Sequence, residues 1–182
     1  MRLIWIVIIF STVLMSFPSI GFACSCAEIP SVEQELESSK DVFMGQVIDI
    51  KEVRDIRGYI SKSVLFKVNQ VWKGQKQSQV VVATGTGSGD CGFNFVKGQE
   101  YIVYANESDM YGKRQLTTIV CDRTNRLSDA KEDLKKLGQG TQTLEEVDLA
   151  KDYNRNFNYI WFLIPIIFII VVIGATFRSK RT

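Results

Sequence analysis

The chain contains no histidine. That absence excludes Ser-His-Asp and Cys-His catalysis, HExxH zinc sites and metal centres led by imidazole. Charge of one sign is not in excess either, with 22 lysines and arginines against 20 aspartates and glutamates. Setting aside Arg2, Arg178, Lys180 and Arg181 at the two ends leaves a slightly acidic middle, which offers nucleic acid no electrostatic footprint. The acidic residues are scattered rather than closely paired, so glycosidase chemistry has no candidate, and the serines and threonines have no base to activate them. No enzymatic activity and no resident cofactor are expected. Cysteine is scarce, at four residues, and each of the four therefore matters.

Two long apolar runs are present, one at each end. Residues 1–23 combine a basic start at Arg2, an apolar run from Leu3 to Met15, and a segment with Pro18 that ends in Gly21-Phe22-Ala23. Small residues at −3 and −1 mark a secretory signal peptide cleaved between Ala23 and Cys24. Lipidation of Cys24 and an uncleaved signal anchor are the competing readings; Gly21 is a poor lipobox residue. The second run, Tyr159 to Phe177, carries no charge and reaches about 28 Å as a helix, enough to cross a bilayer. Tyr159, Trp161 and Phe162 lie at its outer edge, and Arg178, Lys180 and Arg181 follow it. The expected topology is single-pass type I in the cell membrane, with the N-terminal domain outside and the tail 178–182 cytoplasmic.

Outside the reducing cytoplasm, four cysteines most simply form two disulfides, in any of three pairings. A zinc site of all four is the competing arrangement, but one C-x-C and two distant single cysteines do not resemble paired C-x-x-C knuckles. If Cys24 is the mature N-terminus, its α-amine and sulfur form a constellation that no interior residue offers. Cys24, Ser25 and Cys26 are therefore the candidate working part.

Along the chain, Ser31 to Gln34 has the form of a capping box after Pro30 and predicts a short helix to about Lys40. Five strand-like runs follow, at Val42–Ile50, Ser63–Trp72, Val80–Val82, Tyr101–Tyr104 and Leu116–Cys121, with Gly45 marking a bulge and Lys73-Gly74 a turn. Asn106 to Arg114 reads as a loop carrying an Asn106-Glu107-Ser108 glycosylation sequon, whose use is left open. Leu127, Ala130, Leu134 and Leu137 mark one face of a closing helix that starts near Ser128 and stops at Gly138. Gly87 to Gly92 matches G-x-G-x-x-G, but with no helix after it and a cysteine inside it, it reads as a loop. Phe43, Phe66, Tyr101 and Tyr104 read as core rather than stacking platforms. Five short strands with flanking helices suggest a small OB-like barrel rather than a sandwich. The expected organisation is signal peptide 1–23, OB-like domain 24–137, juxtamembrane stalk 138–158, transmembrane helix 159–177 and tail 178–182.

Cys24-x-Cys26 after a signal peptide, the Asp41–Val47 strand, Trp72-Lys73-Gly74, Cys91-Gly92-Phe93, Gly98–Tyr104 and Cys121–Thr124 occur in an order that resembles the tissue inhibitors of metalloproteinases (TIMPs), in a short netrin-like form. The resemblance covers about 24–137. It implies a mainly β fold, a five-stranded OB barrel, and disulfides Cys24–Cys91 and Cys26–Cys121. It also implies a partner, a zinc metalloendopeptidase whose metal would be chelated by the backbone amine and carbonyl of Cys24. Ser25 would enter the specificity pocket and Cys26 would fix the other side of the ridge. The chain departs from the animal inhibitors in lacking their further cysteines and second domain, and in adding a membrane anchor. The alternative is a cell-surface binding or adhesion module on the same barrel.

Overall fold

The computed structural model describes residues 24–55, 58–142 and 145–153. The expected signal peptide 1–23, the transmembrane helix 159–177, the tail 178–182 and residues 154–158 lie outside the described residues. No helix among the described residues is long and apolar enough to cross a membrane. The chain divides into two units, Met1–Leu149 and Ala150–Thr182, and the described part of the second is a helical turn at Ala150–Tyr153.

In the first unit, helix α1 spans Val32–Ser38 and opens with the capping box read from the sequence: Gln34 N donates to Ser31 Oγ at 3.2 Å, and Ser31 N donates to Gln34 Oε1 at 2.9 Å. Six strands follow, namely β1 (Asp41–Arg54), β2 (Ile60–Lys73), β3 (Gln79–Thr84), β4 (Glu100–Ser108), β5 (Gln115–Thr117) and β6 (Asn125–Arg126). Helix α2, Lys131–Leu137, closes the series. The strands form one sheet in the order β1-β2-β3-β5-β4-β6, and a further pairing of β1 with β4 closes the first five into a ring. Among the described residues the protein is therefore mainly β, with six strands where five were expected.

Local chemistry explains the ring. Asp41–Gln46 of β1 pairs with β4 on one side and with β2 on the other, and the register shifts between Met44 and Gly45. A Cβ on Gly45 would stand 2.7 Å from the main-chain oxygen of Lys67, so the bend needs glycine there. Alternation then sorts the side chains. Phe43, Phe66, Val68, Val82, Tyr101 and Val103 join one core, in which Phe43, Phe66, Phe95 and Tyr101 meet edge to face. Val42, Ile102 and Tyr104 point the other way and pack with Ala130, Leu36, Trp72 and Leu137, which seats both helices on the outside of the sheet. All four aromatics weighed as stacking platforms are buried, at no more than 2% exposure. Each fully buried large apolar side chain contributes about 1.5–3 kcal/mol, so this double-sided burial specifies the register of β1 and β4.

Three expectations are corrected. Strand β5 ends at Thr117 rather than Cys121, because Asp122 Oδ2 accepts from Ile119 N at 2.9 Å and from Thr118 Oγ1 at 3.2 Å and turns the chain. The sequon lies not in a loop but in the last three residues of β4, where Asn106 pairs with Thr117 and its Oδ1 accepts from Lys40 N at 2.9 Å. In the segment expected as a stalk from 138, the described residues 138–142 and 145–149 lie along the domain. Thr141 exchanges main-chain hydrogen bonds with Val71, Glu145 bonds to Lys76 and Ser78, and Leu149 N donates to Gln79 Oε1 at 2.8 Å. Its polar composition concealed that role because main-chain bonding to an edge leaves no apolar period.

Candidate functional site

Cys24, Ser25 and Cys26 form a short ridge held at both ends. The structure joins Cys24 to Cys91 and Cys26 to Cys121, with Cα separations of 5.2 and 5.3 Å. No free cysteine remains, which rules out the four-cysteine zinc site. Cys24 is half-buried, while Ser25 through Ile29 are exposed. The two receiving loops are themselves bonded: Gly92 bridges Ile119, and Val120 N donates to Cys91 O at 3.0 Å. The ridge therefore rests on one connected platform rather than on two independent loops.

The platform's first half is Gly85–Phe93. Its centre is Asp90, whose carboxylate accepts from Thr86 N at 2.7 Å, Gly87 N at 3.0 Å, Thr86 Oγ1 at 3.0 Å and Gly92 N at 3.3 Å. Burial pushes the Asp90 carboxyl up, but these four donors together outweigh it and hold the group below its ordinary value. Tyr111 Oη donates to Asp90 O at 2.6 Å, and burial, followed by the Asp90 charge, pushes that phenol up to about 12. Cys91 consequently sits in the left-handed region, at φ 60°, a conformation costly for a side-chain-bearing residue unless its surroundings impose it. A Cβ on Gly92 would meet Gly85 carbonyl carbon at 2.3 Å. Since backbone faces backbone there, Gly92→Ala is expected to lower stability by at least about 2 kcal/mol. Urea unfolding checks it; an unchanged midpoint would show that the Gly85 and Gly92 backbones can part.

The second half is Thr118–Thr124. Thr118 Oγ1 lies 2.7 Å from Thr124 Oγ1, and Tyr104 N donates to Thr124 Oγ1 at 3.0 Å, which ties the loop to β4. Burial raises the Asp122 carboxyl above its ordinary value, with the Ile119 and Thr118 donors partly offsetting it. Glu35 of α1 is also raised, first by burial and then by the Asp122 charge, while Ser39 and Arg123 pull it down. A carboxyl whose folded pKa is raised favours its protonated form in the fold, so its contribution falls as pH rises from the ordinary carboxylate range through the folded value. Glu35→Gln is therefore expected to raise the Tm at pH 7 and to leave it unchanged near pH 3. Thermal scans at both values decide, and a lower Tm at pH 7 would mean that the charge is favourably paired.

Where the ridge leaves the platform, Arg123 fixes it. Arg123 donates from Nη1 to Pro30 O at 2.8 Å, and grips Asp133 of α2 with Nε–Oδ1 3.0 Å and Nη2–Oδ2 3.1 Å. Tyr104 Oη donates to the same Asp133 oxygen at 2.8 Å. Burial and the Asp133 hydrogen bond hold the Tyr104 phenol well above its ordinary value, and the carboxylate raises the Arg123 guanidinium.

The doubly tethered ridge presents Ser25 and Cys26 to solvent, with Cys24 half-buried beneath them. Among the described residues no group of three or more histidine, cysteine, aspartate or glutamate side chains is placed to hold a metal. Sequence reading picked out Cys24, Ser25, Cys26, Cys91 and Cys121, and missed Asp90, Asp122, Arg123 and Asp133. Arg123 meets Pro30 across 93 residues and Asp133 meets Tyr104 across 29 residues, contacts that no local pattern reports. Asp90 and Asp122 make local turns whose place beneath the ridge shows only once the loops meet. The chain matches no model of a known protein family, and a comparison with curated proteins finds no similar one.

Proposed function

We propose that this protein is a membrane-anchored extracellular inhibitor of zinc metalloendopeptidases, built on an OB-like barrel of the netrin and TIMP type. The observation that carries the reading is the Cys24-Ser25-Cys26 ridge, exposed at Ser25 and Cys26 and tethered at both cysteines to two loops that are bonded to each other. The ring order β1-β2-β3-β5-β4 supports the barrel. After cleavage behind Ala23, the α-amine and carbonyl of Cys24 would chelate the target's zinc and displace its water, with Ser25 directed into the specificity pocket. The bridges make this economical: a loose terminus loses conformational entropy on entering a cleft, whereas a terminus already held does not. Each bridge closes a long loop, with separations of 67 and 95 positions, a constraint worth roughly 4 kcal/mol to the fold on the chain-entropy account.

A second reading, a surface adhesion module, is favoured by another observation. At the far end of the β1–β2 hairpin, Val53, Tyr59 and Ile60 are exposed, a patch the inhibitory ridge does not use. The mature N-terminus separates the two readings. Mass spectrometry of the membrane-derived protein is expected to find an unmodified Cys24 amine, and titration against a panel of zinc endopeptidases to find inhibition. A lipidated Cys24 or a retained signal removes the chelation mechanism and leaves the adhesion reading.

A further inference from the structure

Strands β3 and β5 meet by a single bridge, Ala83 with Thr117, and beside this junction lies a cavity of about 440 Å³. Its volume is within the range of small-ligand sites. Val80, Val81, Leu116 and Leu149 supply an apolar wall, and Asp41, Glu107 and Arg114 supply charge. Glu107 and Arg114 satisfy one another at 3.1 Å. That pairing leaves Asp41 as the unbalanced charge of the wall.

Asp41 is only 5% exposed, yet it is half-used. Its Oδ1 accepts from Gln75 N at 2.6 Å. Its Oδ2 has no partner among the described residues, and among these no fully buried side-chain oxygen is left without one. Oδ2 must therefore be accessible, and the cavity is what Asp41 lines. Burial also raises this carboxyl above its ordinary value, with the Gln75 donor and Lys40 partly offsetting it and Glu107 adding to it. A carboxylate short of solvation, with one open lone-pair face, is a receptor for a charged donor.

We propose that this cavity binds an alkylammonium group, seating the cation on Asp41 Oδ2 and its aliphatic stem against Val80, Val81, Leu116 and Leu149. An anion is disfavoured because Asp41 and Glu107 set two carboxylates in the lining against the one guanidinium of Arg114. A neutral apolar ligand would leave Oδ2 covered and unpaired. The same chemistry is offered by a small free amine and by a lysine side chain of a peptide. This site shares no residue with the Cys24 ridge and stands or falls independently of the inhibitory reading.

Isothermal titration calorimetry on the full-length protein in detergent tests it, with n-pentylammonium in one arm, Nα-acetyllysine N-methylamide in another and n-pentanol as the uncharged control. At least one amine is expected to saturate at one site, and its affinity to exceed that of n-pentanol. The arm that binds identifies the source. Asp41→Asn keeps an acceptor for Gln75 N and is expected to weaken amine binding about tenfold. Val81→Trp fills the cavity and is expected to abolish binding, with circular dichroism unchanged. The proposal is overturned if neither amine saturates, if n-pentanol binds as well as n-pentylammonium to the wild-type chain, or if folded Asp41→Asn binds the amine equally.

Discussion

One alanine placed before Cys24, with the remaining chain unchanged, is expected to abolish inhibition of zinc endopeptidases without unfolding the domain. The proposed metal ligand is the lone pair of the Cys24 α-amine. An added residue turns that amine into an amide, whose nitrogen is not basic, and also thrusts a main-chain unit into the space the zinc would occupy. Loss of a direct ligand should weaken inhibition by about a hundredfold or more. The same chemistry sets a pH dependence. A free α-amine titrates at about 7.7–8.0 and must be unprotonated to bind metal, so affinity should fall as pH drops through that range, with one proton released on binding. The comparison uses both proteins with their N-termini verified by mass spectrometry, inhibition constants at several pH values, and circular dichroism as the folding control. Equal inhibition by the extended chain would remove the amine from the mechanism and transfer support to the adhesion reading.

Asp133→Ala is expected to be the most damaging single change in the folded body. Arg123 is 16% and Asp133 7% exposed at their side chains, and the two are joined by paired hydrogen bonds. Removing the carboxylate leaves a largely buried guanidinium with the Pro30 carbonyl and, at 3.9 Å, the exposed Glu132 carboxylate as its remaining partners, and takes the acceptor from Tyr104 Oη, which costs about 3–5 kcal/mol by analogy with other broken buried pairs. For a domain of this size the Tm should fall by roughly 10 °C or more. The double variant Arg123→Met with Asp133→Asn removes both charges while keeping an acceptor for Tyr104. It should recover part of that loss, because the penalty lies in the orphaned charge rather than in the missing attraction. Urea unfolding of the three proteins measures both effects. A loss below about 1 kcal/mol for Asp133→Ala would show that solvent reaches Arg123 and replaces its partner.

Much of this protein was set by its sequence alone. The capping box at Ser31 and Gln34, the bend at Gly45, the alternation of Val42 with Phe43 and of Tyr101 with Ile102, and the closing helix that stops at Gly138 are short-range or periodic features. A local physical rule reads them directly, because the residues that satisfy each rule lie within one turn or one strand. The four cysteines announced crosslinks but left three pairings open, and tertiary structure chose among them by folding the Cys91 and Cys121 loops against each other through Val120 and Gly92. Tertiary structure also ended β5 early through Asp122, drew Asn106 into β4, laid Thr141, Glu145 and Leu149 along the domain, and left Asp41 half-used beside a cavity. Apart from the Asp122 turn, whose donors Ile119 and Thr118 are three and four residues away, each of these depends on a hydrogen bond or an open face between residues distant in the chain. Such contacts have no period and no spacing, so they come into being only when the ring of strands closes.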